Sequence, residues 1–472
     1  MLEKRKTFRG GYVFDNLEGA PKSFKDLPAP QTVYIPLKQG FGEKVESTVK
    51  AGDAVKIGQI IGRSDDVLSS PVHASVAGKV KEIAEIGDDK ISVVVIEPEG
   101  SDATEKLAGS GTNFEQLGAE KVQELLYLAG VTALASEGFP SPHKSSTLDA
   151  GDVKYILINA VPTEPFLPPN SILLQDKIDD FATGLKVLQA ALPSAKIHVG
   201  FTAADTSLFA QIDSKVGGKV AFHPLKAKYP QENDRILAQT LLGLKQVKYG
   251  ARASDLGAVV LDVQAVLHAC DAVVAGKPVT ERLIALGGNG FKENVCVRVP
   301  VGAAIKDFVT DILKEDSARL VLGGLMTGLT IGDTALPISR TDRAITAVVN
   351  LHEPEFLGSF VPGMHKISIT NTFLSAIIPH GVKKYNTSIE GEHRPCIQCG
   401  LCEDVCPVNI IPHLLSKCVT HEMLEDAERY RIFDCIDCGL CSLACPSKLP
   451  ILDDIKQGKA QILEEKASEE AA

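Results

Sequence analysis

Short runs of alternating apolar and polar residues dominate the first hundred positions, and a different rhythm follows. Residues 1–30 are polar and punctuated by Gly10, Gly11, Pro21, Pro28 and Pro30, which predicts an extended arm. Between 31 and 101, segments 49–62 (VKAGDAVKIGQIIG) and 69–83 (SSPVHASVAGKVKEI) alternate Val and Ile with polar positions around a Gly52-Asp53 turn, the pattern of a flattened β-sandwich. Residues 102–113 (DATEKLAGSGTN) form a linker. From 114 to 250 helical and strand patterns alternate: 114–130 and 178–192 read as helices, the latter with apolar residues at 178, 181, 182, 185, 188 and 192. Segments 153–161, 196–202 and 219–225 read as strands, so a mainly parallel sheet with helices on both faces is expected.

At 276–309 alternating strands surround a GGNG turn and lead into a helix, which predicts a small β-grasp unit within 251–384. The glycines of 321–330 (Gly323, Gly324, Gly328) read as turn geometry rather than ligand contacts. Residues 385–395 form a polar linker into a helical segment, 385–455, and 456–472 is a charged tail. The whole is an α+β multidomain chain.

Chemistry concentrates in two cysteine runs. CIQCGLCEDVCP carries Cys396, Cys399, Cys402 and Cys406; CIDCGLCSLACP carries Cys435, Cys438, Cys441 and Cys445. In CxxCxxCxxxCP, three thiolates of a tight loop reach one cubane and the fourth leaves to ligate the other. Cys396, Cys399, Cys402 and Cys445 are therefore assigned to one [4Fe-4S] cluster, and Cys435, Cys438, Cys441 and Cys406 to a second. Zinc knuckles need two cysteines each, not a third at the next step followed by CP. Cys270 and Cys296 sit in apolar patterns, and Cys418 fits neither spacing, so these three read as structural.

With 49 basic against 60 acidic residues, the net charge of −11 argues against a nucleic-acid partner. The first residues lack the apolar core of a secretory signal, and no run of eighteen apolar residues occurs, so neither signal peptide nor membrane-spanning helix is expected. Three loops could border a nucleotide site at the carboxyl ends of the parallel strands: 135–143 (ASEGFPSPH), 159–166 (NAVPTEPF) and 228–234 (KYPQEND). They offer one glycine, Gly138, among prolines and carboxylates, a poor phosphate cradle.

Segments 49–62 and 69–83 resemble the barrel-sandwich hybrid of lipoyl and biotinyl carriers, but residues 63–70 between them lack the lysine a carrier would modify. His73, in the same region, reads as a packing residue. Together with YIPLKQ (34–39), KYPQ (228–231) and the cysteine runs, the chain resembles the RnfC family of the Rnf electron transport complex. That resemblance implies a Rossmann-like α/β domain akin to the flavin subunit of complex I, with FMN and NADH held near Gly138, Asn159, Glu164 and Lys228. Departures fall on those loops: Ala135, Ser136 and Glu137 replace small phosphate-approaching residues, and Glu232, Asn233 and Asp234 replace GGE. Segments 180–188, 276–288 and 355–375 resemble the NqrA component of the sodium-translocating NADH:quinone oxidoreductase, which allows quinone contact around 355–375. The two likenesses imply a peripheral electron-transfer subunit on the cytoplasmic face of the cell membrane. Its partners would be integral-membrane subunits and a soluble electron carrier or donor subunit. The alternatives are an FMN-dependent NADH dehydrogenase component of such a complex and a soluble corrinoid reductase.

Overall fold

A computed structural model describes residues 6–131, 152–349 and 394–471, apart from 16, 41–42, 66–68, 88–89, 112, 245–246 and 315–317. Gly138 and the 355–375 segment lie outside the described residues.

The arm crosses the molecule as extended chain. Lys6 bridges Leu225, Tyr12 bridges Tyr229, and β1 (Phe24–Asp26) ends as the edge strand of a sheet built from residues far along the chain. The sandwich follows, with strands β2 (Val33–Pro36), β3 (Glu46–Ser47), β4 (Ala54–Val55), β5 (Ile60–Arg63), β6 (Val72–His73), β7 (Gly78–Ile86) and β8 (Ile91–Pro98). They form two sheets, β2-β8-β7-β4 and β3-β5-β6. Val33, Ile35, Ile61, Val80, Val94 and Ile96 fill the space between them, as period-two alternation demands. Gly52 turns the chain at φ +95, a backbone conformation open to glycine.

The α/β domain comprises α1 (Ala119–Leu128), β9 (Tyr155–Ala160), α2 (Asn170–Leu173), α3 (Ile178–Ala191), β10 (Lys196–Thr202), α4 (Thr206–Val216), β11 (Val220–Leu225), α5 (Asp234–Leu242), β12 (Ala258–Asp262) and α6 (Val263–Cys270). Its sheet is parallel throughout, in the order β11-β10-β9-β12. The expected apolar stripe of α3 is buried through Phe181, Ala182, Leu185 and Leu188. On that face Gly184 lets α6 approach closely, since a Cβ there would stand 2.2 Å from the Val266 carbonyl oxygen. Leu237 and Leu241 of α5 cover the opposite face. The sheet's fourth strand comes from beyond residue 250, in the stretch that the hydropathy pattern assigns to the next domain. An apolar run can be placed in a sheet only through its non-local partner, here β9.

A six-stranded mixed sheet follows, built from β13 (Glu281–Gly287), β14 (Val295–Pro300), β15 (Arg319–Leu322), β16 (Leu329–Ile331) and β17 (Ala344–Val348), with the short α7 (Lys306–Val309) after β14. Its order is β1-β14-β13-β17-β15-β16, with β13 and β17 parallel at the centre and the arm's β1 at one edge. Phe308 and Val309 share a core with Ile284 and Ile345.

The last unit is helical: α8 (Leu401–Asp404), α9 (Pro412–Thr420), α10 (Leu424–Arg429), α11 (Leu440–Ala444) and α12 (Ile451–Ala471). The charged tail is the end of α12, which buries Ile455 and Ile462. Among the described residues no helix is long and apolar enough to cross a membrane.

Candidate metal centre and the cavity beside it

Both cysteine runs fold into one backbone form. Gln398 and Asp437 sit at φ +54 and +53, Gly400 and Gly439 at +76 and +75, and Asn409 and Lys448 at +57 and +58. A left-handed conformation costs a non-glycine residue about 1–2 kcal/mol. Its repetition at matched positions gives the two loops the same local turns around their cysteines. Gly400 and Gly439 then start α8 and α11, which carry Cys402 and Cys441.

Cys396, Cys399, Cys402 and Cys445 surround one small cavity. Cys435, Cys438, Cys441 and Cys406 surround another. Each quartet thus takes three thiols from one run and the fourth from the other. The thiols ring a space; among the described residues no three Cys, His, Asp or Glu side chains are grouped to hold a single metal ion. Eight free thiols in two rings suit two cubanes. Burial pushes the Cys435 thiol up to about 12 and Cys402 to about 11, so iron must displace protons on binding. His413 Nδ1 lies 3.7 Å from Cys402 Sγ, a neighbour that the cysteine spacing does not reveal. Cys270, Cys296 and Cys418 are buried outside both rings.

The surroundings of the two rings differ. In the first, Cys396 and Cys399 are exposed and Ile397 between them is 66% exposed. The second is pressed against the body. The Tyr229 hydroxyl donates to the Cys438 carbonyl (2.7 Å), and Tyr229 exchanges backbone hydrogen bonds with Tyr12 of the arm (2.8 and 2.9 Å). Gly11 N donates to the Val405 carbonyl (2.8 Å), and a Cβ on Gly10 would meet the Cys406 carbonyl oxygen at 2.5 Å. Buried Arg235 pairs with Asp434 at 2.7 Å and also donates to its carbonyl; Gly250 N donates to the same carboxylate.

A cavity of about 600 Å³ opens between this second ring and the carboxyl ends of β9 and β12. Its walls include Asn159, Glu164, Tyr229, Glu232, Asp262, Arg343 and the loop from Cys435 to Cys438. Asn159 Nδ2 donates to the Glu232 carbonyl (2.7 Å). The Glu164 carboxylate accepts from the backbone amides of Met326 and Thr327, both at 2.7 Å, and from the Thr327 hydroxyl. Gly324 makes that approach feasible, since a Cβ there would stand 2.2 Å from Glu164 Cδ. Lys228 is not in the cavity wall: its amine donates to the carbonyls of Phe8 and Gly10, both at 2.6 Å, and lies over the Phe8 ring. Competition from the arm thus turns it away from the place the resemblance implied for it.

Whether the cavity suits FMN depends on the phosphate. Two helix N-termini border it, but Asn233 accepts from the amides of Arg235 and Ile236, and Asp262 accepts from Ala265 N. Both ends are closed by their own side chains, and Glu164 and Glu232 add carboxylates nearby. The described wall also carries Arg252, Arg343 and Lys456, so charges of both signs face the cavity. Glu232 is buried, and among the described residues neither carboxyl oxygen has a well-formed hydrogen bond. Burial first, then the charge of Glu164, push its carboxyl up to about 8, with Arg343 acting in the opposite sense.

Residues 6–101 match the RnfC barrel sandwich hybrid domain, 127–271 the Nuo51 FMN-binding domain, and 395–449 a 4Fe-4S dicluster domain. Over 438 residues the chain is 27% identical to the C subunit of a proton-translocating ferredoxin:NAD(+) oxidoreductase complex from Clostridium ljungdahlii, covering 91% of this chain and 88% of that one. It is 25% identical over 474 residues to the C subunit of the Na(+)-translocating ferredoxin:NAD(+) oxidoreductase complex of Acetobacterium woodii, covering 98% of each. The C subunit of an ion-translocating oxidoreductase complex from Rhodobacter capsulatus is 25% identical over 454 residues, covering 93% of this chain and 79% of the relative. Sandwich, flavin-type and dicluster segments thus follow one another along a chain that is similar over nearly its full length to these C subunits.

Proposed function

We propose that this chain is the peripheral electron-transfer subunit of a membrane-bound, ion-translocating redox complex, carrying single electrons through two [4Fe-4S] clusters. The observation that carries the reading is the pair of crossed cysteine quartets, one against a cavity and the other open to solvent. Electrons would pass between a donor at the cavity side and a partner at Cys396 and Cys399, in whichever direction potentials dictate. The partners would be integral-membrane subunits and a soluble carrier or donor subunit, with the chain on the cytoplasmic face. The strand order β14-β13-β17-β15 with a parallel central pair supports reading the third unit as a β-grasp, SLBB-like domain. The first unit would serve as a docking or structural module.

A second reading, FMN-dependent oxidation of NADH at the cavity, is favoured by the match to the Nuo51 FMN-binding domain. Flavin, iron and sulfide content of anaerobically purified, cluster-reconstituted protein separates the two. A relay should hold about eight irons and no flavin if both quartets are filled, with dithionite but not NADH bleaching the clusters. Stoichiometric FMN with NADH-driven bleaching would make the chain an NADH entry point. Iron near zero would sink both readings.

A further inference from the structure

The cavity wall holds a group for which the electron relay has no use. Glu232 is 8% exposed, neither carboxyl oxygen has a well-formed hydrogen bond among the described residues, and it lines both the large cavity and a smaller one. Burying a carboxyl without hydrogen bonds is costly, and more so when it is charged. Glu164, the other acid on this wall, accepts hydrogen bonds from the backbone amides of Met326 and Thr327. The wall thus places a hydrogen-bonded carboxyl and a buried one that favours its proton across a cavity from the cysteine loop of the second ring.

We propose that Glu232 is a redox-linked proton site, taking up a proton when an electron enters the cluster held by Cys406, Cys435, Cys438 and Cys441. The balance is one electron from a one-electron donor to the cluster and one proton from solvent to the Glu232 carboxylate, with both released on oxidation. The physical cause is Coulombic: negative charge added to the cluster disfavours the carboxylate form of buried Glu232 across the cavity. The other charges facing the cavity are Glu164 and Asp262 from beyond the parallel strands, Asp234 and Arg235 from the start of α5, Arg343 from the loop before β17, Arg252, and Asp437 and Lys456 from the cluster domain. Tyr229 favours its neutral form, held there by burial. Because burial already pushes this carboxyl up to about 8 in the chain without its clusters, coupling should appear in the alkaline range and vanish where the carboxyl is protonated in both redox states.

The inference rests on the reading that this quartet holds a cluster. Its test is redox titration of the cluster-loaded full chain as a function of pH, followed by electron paramagnetic resonance. The expected result is one couple that is flat below about pH 8 and then falls by up to about 59 mV for each tenfold drop in proton concentration. The exposed couple should stay flat, and Glu232→Gln should flatten the first. Two flat couples in the unmodified protein, or a slope surviving in E232Q, would overturn the proposal. Should E232Q fail to fold, the redox-difference infrared spectrum of the unmodified protein above about pH 8 decides the matter. Reduction must then add a protonated-carboxyl band, and its absence refutes the proposal. Absence of iron would instead refute the cluster reading and leave a different, distinguishable failure.

Discussion

The two cysteine rings share a backbone and differ in everything around it. Matched left-handed positions give both the same inner geometry, yet one presents Cys396, Ile397 and Cys399 to solvent while the other lies under Tyr229, the arm and the glycine-rich loop. Gly400 has nothing within 4 Å of a built Cβ, whereas Gly439 has Met326. The local sequence sets how a centre is held; its place against the body sets what it can exchange with. Solvent exposure and hydrogen bonding to sulfur tune cluster potentials, so equal ligands need not give equal potentials.

The strongest challenge to the comparison is to remove one ligand from each ring. Cys445→Ser should abolish the same paramagnetic signal as Cys396→Ser, although Cys445 lies in the other run, and each should cost about half the iron. Loss of the Cys435-side signal in C445S would show that the rings are not crossed. Next in size is the anchor of the buried ring. Arg235→Ala removes one of the two arginines paired with buried Asp434, Arg431 being the other, so denaturant unfolding should register a loss of about 1–3 kcal/mol. Arg429→Ala, at an exposed pair, should stay within about 0.5 kcal/mol.

The Glu232 carboxyl makes the buried side sensitive to pH. Its folded value near 8 exceeds the ordinary 4.5, so between those values the native chain keeps a proton that the unfolded chain has released. Its contribution therefore falls as pH rises through this window, by about 1.4 kcal/mol per unit. E232Q should lack that slope and gain on the unmodified protein toward pH 8 in denaturation series; parallel curves would refute it. Gly10→Ala meets the Cys406 carbonyl at φ +66 and should cost about 1–3 kcal/mol. It should speed chelator removal of the buried cluster while leaving the exposed one unchanged, as read by absorbance.

Local signals were legible and distant ones were not. Cysteine spacing is a property of a dozen residues, so the quartets could be assigned without knowing what surrounds them. The stripe on α3 and the alternation in β7 and β8 were equally local. Lys228 belongs to a recognisable loop, but its direction is decided by Phe8 and Gly10, which no pattern around 228 reveals. Asn233 and Glu232 were visible as departures from a glycine pair. That one caps α5 and the other lies buried without a well-formed hydrogen bond among the described residues follows only from tertiary packing. The strand at Ala258–Asp262 fell on the wrong side of a boundary for the same reason.

The arm's attachment has a consequence for the order of synthesis. Gly10, Gly11 and Tyr12 are made long before Val405 and Cys406, which they contact. Until then the arm can rest on Tyr229 but has nothing to clasp on the cluster side. Its closure is thus a late, long-range event that registers completion of the cysteine domain.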